Sequence, residues 1–133
     1  MLEDPRDLEN IGAVIRVSAA ADVAAVCITG SIDVWHPGVI RGGAGLHFAL
    51  PVVNTSFKDI EQLNRPLVSL DPTGSEVKRG TIEHNAVLIF GTERYGISKE
   101  LLEKSGQIVR LPMRAGVSSL NLATSVAATL YSL

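Results

Sequence analysis

Ala86-Val-Leu-Ile-Phe90, closed at once by Gly91, is the stretch whose reading decides the fold. Five consecutive apolar residues with no polar alternation, stopped by glycine, are too short for a helix and describe a strand buried on both faces. Downstream, Ser98–Lys104 reads as a short helix with Ser98 as its N-cap, Gln107–Leu111 as a strand, and Ser119–Leu133 as a final helix rich in Ala and Leu. Upstream, Asp71–Gly80 carries Pro72, Gly74 and Gly80 among polar residues and reads as a surface loop, preceded by a strand at Pro66–Leu70 and a short helix at Phe57–Leu63. Further back, Pro37 suits the first turn of a helix ending in Gly42–Gly43, and Ala24–Gly30 is a short β-rich run. Ile11, Val14, Ile15, Val17 and Ala21 follow helical spacing, which predicts a helix over Asn10–Ala24 with Asn10 as N-cap. Apolar strands alternating with helices give an α/β class: a parallel sheet flanked by helices. Ligands of such sheets bind beyond the carboxyl ends of the strands, so the loops after Phe90 and Leu111 are the places to look.

The 133 residues, 46% apolar and 20% charged, suit one domain, residues 1–133, with a real core. The longest apolar runs fall far short of the roughly 20 residues a membrane helix needs, and no basic flank with an apolar core opens the chain. A soluble cytoplasmic protein is expected. Cys27, the one cysteine, sits in an apolar run, and His36, His47 and His84 are far apart, so neither a disulfide nor a metal site is expected. Net charge is −2, which alone argues against a nucleic-acid binder.

Three segments carry more glycine and polar content than a fold requires: Asn10-Ile-Gly-Ala-Val-Ile-Arg16, Phe90-Gly-Thr-Glu-Arg-Tyr-Gly-Ile-Ser98, and Leu111-Pro-Met-Arg-Ala-Gly-Val-Ser-Ser-Leu-Asn-Leu122. Gly91 and Gly96 let backbone approach a ligand closely, although a plain strand-to-helix turn also uses glycine. A dinucleotide loop is a poor alternative, because no G-x-G-x-x-G joins the first strand to a helix and Arg41-Gly-Gly-Ala-Gly45 does not supply one. Glu93 lies either beside a ligand or as a solvated helix flank. Ser118, Ser119 and Asn121 open the last helix, where capping and site hydrogen bonds compete as readings, with Ser118 the better cap. Arg16 stands about one and two-thirds turns after Asn10, on a different face, and is either a functional cation or a solvated end.

In order and spacing these segments resemble the three signature motifs of the SpoU/TrmH RNA 2'-O-ribose methyltransferases of the SPOUT superfamily: N-x-G-x-x-x-R, F-G-x-E-x-x-G-[LI]-S, and [IL]-P-M followed by S-[SL]-N. Arg41 and Leu50–Pro51 also fall where that family has such residues, and the thiostrepton-resistance-type rRNA methyltransferases are among the nearer look-alikes. The resemblance implies S-adenosyl-L-methionine as cofactor, RNA (rRNA or tRNA) as substrate, and a homodimer in which a second subunit completes each pocket. It implies a C-terminal trefoil knot, which periodicity does not reveal. Cofactor binding is implied for Gly91, Glu93, Gly96, Leu111, Met113, Ser119, Leu120 and Asn121, and catalysis for Asn10, Arg16, Glu93, Ser119 and Asn121. Two other readings stay open, a SPOUT base methyltransferase and a non-catalytic RNA-binding or assembly module. Asn10, Arg16, Glu93 and Asn121 argue against the module, which has no need of all four.

Family members begin with a strand just before the first motif, whereas only Met1–Asp7 precedes Leu8-Glu-Asn10. A stub of that strand is expected, in a portion of a longer protein whose RNA-binding extension lies elsewhere.

Overall fold

The computed structural model describes residues 1–92 and 94–133. Along the chain run α1 (Leu8–Ala20), β1 (Val26–Ile28), α2 (Pro37–Gly42), a 3-10 turn (Leu46–Phe48), β2 (Val52–Asn54), α3 (Phe57–Gln62), β3 (Leu67–Glu76), β4 (Val87–Ile89), α4 (Lys99–Lys104), β5 (Gln107–Arg110) and α5 (Leu122–Leu130). β1 pairs with β2, and β3 with both β4 and β5, always in parallel. Leu2 joins the two sheets, pairing in parallel with Ile28 on one side and Phe90 on the other. Its N–H donates to the Cys27 carbonyl at 2.8 Å, while the Glu3 N–H donates to the Phe90 carbonyl at 2.9 Å. The expected α/β class, parallel sheet with flanking helices, is present, and the strand stub acts as the seam between its halves.

Burial explains why the apolar runs became strands. Val26, Ile28, Val68, Ile89 and Val109 are all buried, each contributing on the order of 2 kcal/mol by leaving water. α1 covers one end of the sheet with Ile11, Val14 and Ile15, which meet Leu122 and Val126 of α5 in the main core. Gly12 lets α1 and α2 cross closely: a Cβ there would lie 2.6 Å from the Val39 carbonyl oxygen and from the Gly42 backbone.

Several sequence expectations need correction. Asn10 does not cap α1. Asp7 does, accepting from the Asn10 N–H at 2.7 Å, so Asn10 lies inside the first turn. The helix stops at Ala20, not Ala24, because Asp22 turns left-handed (φ 56°). β3 continues through Glu76 across half of the expected loop. Its register with β5 shifts between Leu70 and Ser75, both of which face Val109, so residues 71–74 are looped out and pairing then resumes. α5 begins at Leu122 rather than Ser119, capped by Asn121, whose side chain accepts from the N–H groups of Ala123 and Thr124. Ser118 is therefore not the cap. β2 was not anticipated from sequence, since Val52 and Val53 are too short a run to signal a strand.

Candidate functional site

The carboxyl ends of β4 and β5 and the looped-out middle of β3 open onto one cavity of about 400 Å³, walled by Leu70–Pro72, Phe90–Thr92, Gly96, Arg110, Leu111, Met113, Ser118–Leu120, Leu122 and Ser125. Its size falls within the range of small-molecule sites. Six residues singled out in the sequence converge there: Gly91, Gly96, Leu111, Met113, Ser119 and Leu120. A larger hollow of about 670 Å³ lies under α1 and α5, but none of the described candidate site residues lines it.

The loop after β4 holds its shape by folding on itself. Thr92 and Gly96 exchange backbone hydrogen bonds at 3.1 and 2.9 Å, and the Thr92 hydroxyl accepts from the Tyr95 N–H at 2.9 Å. The glycines have separate reasons. A side chain at Gly91 would run into the backbone of Gly96 and Ile97, so its smallness serves the chain's own crossing. Gly96 has φ +66° with open space around it, so conformation alone selects glycine. The Ser98 N–H donates to the Glu3 carboxylate at 2.7 Å, tying this loop to the strand stub. Glu93 lies outside the described residues.

The loop after β5 stays irregular from Leu111 to Asn121, with Gly116 left-handed (φ 88°). Because Asn121 ends it as a cap, Ser118, Ser119 and Leu120 remain outside the helix and on the cavity wall; Leu120 is 41% exposed. Asn121 also reaches back to α1, where its side-chain N–H donates to Asn10 Oδ1 at 2.7 Å. The first and third motifs are thereby joined in one chain. Arg16 is exposed and lies about 9 Å further along the α1 axis than Asn10, turned to another face. Among the described residues, neither Asn10 nor Arg16 lines the cavity.

Sequence reading missed Leu70, Asp71, Pro72, Arg110 and Ser125 as lining residues. Asp71-Pro72 follows the predicted strand Pro66–Leu70 directly, so the carboxyl-end rule could have flagged that pair.

An α/β domain with a cavity at its strand ends, walled by the second and third motif segments, defines a class of ligand-binding folds. Residues 1–131 match the family described as the SpoU rRNA Methylase family, and the chain belongs to it. It is 28% identical over 139 residues to the 23S rRNA guanosine 2'-O-methyltransferase RlmP of Bacillus subtilis, covering 100% of this chain and 56% of that protein. The structure is similar to the SpoU methyltransferase AviRb of Streptomyces viridochromogenes in complex with AdoMet (TM-score 0.91, 26% identity, 98% of this chain and 56% of that one). It is likewise similar to an AdoMet-bound rRNA methyltransferase of Sinorhizobium meliloti (TM-score 0.87, 28% identity, 98% and 53%). The chain spans about half the length of the curated relatives it matches. No described helix is long and apolar enough to cross a membrane.

Proposed function

We propose that the chain is the catalytic part of a cytoplasmic, S-adenosylmethionine-dependent RNA ribose 2'-O-methyltransferase, acting on rRNA or tRNA. The observation that carries this is the convergence of the second and third motif segments on one cavity at the strand ends, with the first motif tied to it through Asn10 and Asn121. The cavity fits the cofactor chemically. Its size is suitable, its wall is largely apolar, and the backbone is accessible around Gly96 and Ser118–Leu120. Gly91, Gly96, Leu111, Met113, Ser119 and Leu120 would hold it, with Asn121 next to them in the chain; Glu93 is proposed as a further contact on its motif alone.

When bound, S-adenosylmethionine supplies a methyl group on a cationic sulfur. The protein's part is to place a ribose 2'-oxygen in line behind that carbon, and positioning alone is worth several kcal/mol. Ser119, Asn121 and Asn10 offer hydrogen bonds for that placement. A guanidinium is not a base, so Arg16 is given a different part. Its planar fork grips the adjoining phosphate and stabilises negative charge developing on the 2'-oxygen, while the proton leaves to water or phosphate.

Arg16 is exposed and lines no part of its own chain's cavity, which favours a homodimer in which each pocket receives the partner's arginine. α1 and α5 share a core within one chain, where Val17, Ala123 and Leu130 are partly buried against it. Ala13, Ala20 and Ala127 are left less committed and form the proposed contact. A C-terminal trefoil knot, with α5 passing through the loop formed by the preceding segment, completes the proposal. RNA recognition beyond the reacting nucleotide is assigned to sequence outside this chain, in keeping with the net charge of −2.

The test is methylation of total RNA with labelled cofactor, followed by mapping of the modified nucleotide. A methyl group on a ribose 2'-oxygen is the expected result. Label on a base, or none from a chain that binds cofactor, overturns the reading.

A further inference from the structure

The looped-out residues 71–74 of β3 are a built feature. Gly74 is required for β3 to close again on β5, since a Cβ there would sit 2.6 Å from the Val109 nitrogen and the Ile108 carbonyl oxygen. Within the loop, Oδ1 of Asp71 accepts both the Thr73 N–H at 2.9 Å and the Thr73 hydroxyl at 2.6 Å. These two bonds fix the carboxylate on the cavity wall and leave its other oxygen without a donor among the described residues. Arg110 is on the same wall, but its guanidinium donates to Glu76 at 3.2 Å in a half-exposed ion pair. Among the described residues, Asp71 is the one charged group on the wall without an ion-pair partner, and it is negative.

That sign matters because the cofactor and the product left after methyl transfer differ in charge. S-adenosylmethionine has a sulfonium, an ammonium and a carboxylate, for a net charge of +1. S-adenosylhomocysteine has lost the sulfonium charge and is neutral overall. The two share every hydroxyl, the amine and the adenine, so hydrogen bonds to those groups cannot tell them apart, whereas a fixed carboxylate in a largely apolar cavity can.

We propose that Asp71 is the electrostatic selector of this pocket, favouring the cationic cofactor over its neutral product and so easing product release after each turnover. The proposal rests on the cofactor reading given above. It makes Asp71 a specificity residue acting through charge, and requires no direct contact with the sulfur.

Calorimetry with S-adenosylmethionine and S-adenosylhomocysteine as separate probes tests it. In Asp71→Asn, which retains an oxygen for Thr73, the preference for S-adenosylmethionine should fall about 5-fold, as expected for one charge acting across a partly solvated pocket. The loss should fall mainly on S-adenosylmethionine. Asp71→Glu keeps the charge and should keep the preference. Added salt should compress the preference of the wild-type chain and leave that of Asp71→Asn flat. Equal weakening of both probes, or an unchanged ratio, overturns the selector role while leaving the cofactor reading intact. Should Asp71→Asn not fold, the salt series on the wild-type chain decides, and a salt-insensitive preference overturns the proposal. Failure of the wild-type chain to bind either probe overturns both readings.

Discussion

Described residues of the loops after β4 and β5 wall one cavity within a single chain, whereas α1 is tied to that region through Asn10 and its Arg16 lines no part of the cavity. The first region is held by local means: a self-bonded loop, a left-handed glycine, and a cap that ends an irregular segment. The second is a regular helix, whose periodicity turns residues six positions apart onto different faces. One chain thus forms the whole cavity wall among the described residues, but its candidate cation Arg16 is not part of that wall. On the proposed function, pocket and cation would meet only across a dimer.

The heaviest blow to the pocket side should come from Gly91→Val. The new side chain collides with the Gly96 and Ile97 backbone, so the loop and the packing of Ile97 beneath it must give way. We expect destabilisation on the order of 4 kcal/mol, in the range reserved for severe core or backbone conflict. Cofactor affinity should be lost along with the thermal transition. A Gly91→Val protein with wild-type melting temperature would show that the loop can rearrange cheaply.

On the helix side, Arg16→Lys keeps the charge and loses the fork. Turnover should fall about 100-fold, the scale of removing one donor to a developing oxyanion, while cofactor affinity stays as it was. Mixing sharpens the comparison. If Arg16 serves the partner's pocket, randomly paired Arg16→Lys and Asn121→Ala chains should regain about a quarter of wild-type activity, because half of the dimers carry one intact site of two. No recovery after verified exchange would assign Arg16 to its own chain's site. Ala127→Arg should weaken both association, followed by sedimentation, and methylation. A wild-type chain that stays monomeric at micromolar concentration would rule out the shared site.

Asn121 stands at the border of the two regions, capping α5 while bonding to Asn10. Asn121→Ala should cost about 1 kcal/mol through the lost cap, and Asn121→Asp should restore most of that stability while removing the donor to Asn10. If Asp rescues activity as well as stability, the link to Asn10 has no catalytic role. Gly96→Ala should cost about 1 kcal/mol, since the strain is conformational and nothing crowds the position.

The α/β order and the cavity-lining motifs were legible because they depend on local signals. Continuous apolar runs marked β1 and β4, Ser98 marked the start of α4, and glycines marked the loop after β4. What was illegible depended on distant partners. Asn10 looked like a cap because it preceded an apolar periodicity, yet Asp7, three residues earlier, takes that role. Pro72 and Gly74 looked like the end of a strand, yet β5 lies close enough to resume pairing at Ser75. The reason for Gly91 was misplaced in the same way: its neighbour is Gly96 of its own loop, five residues on. No periodicity could have shown Leu2 joining two sheets, because its partners Ile28 and Phe90 are remote in sequence.

The smallest effect concerns a group far from the pocket. His47 is 1% exposed, neither of its ring nitrogens has a hydrogen-bond partner among the described residues, and its ring lies 4.4 Å from that of Trp35. Burial pushes its pKa below the ordinary value of 6.5, so the folded chain holds it neutral. As pH falls through about 6.5 the unfolded chain takes up a proton that the folded chain refuses. The stability associated with neutral His47 is therefore fully present above that pH and is lost as pH drops toward the folded-state value. Chemical denaturation at pH 7.5 and 5.5 should show the wild type losing more stability on acidification than His47→Leu. Parallel losses in the two proteins would mean that the buried ring finds a partner once protonated, and that other groups set the acid limit of the fold.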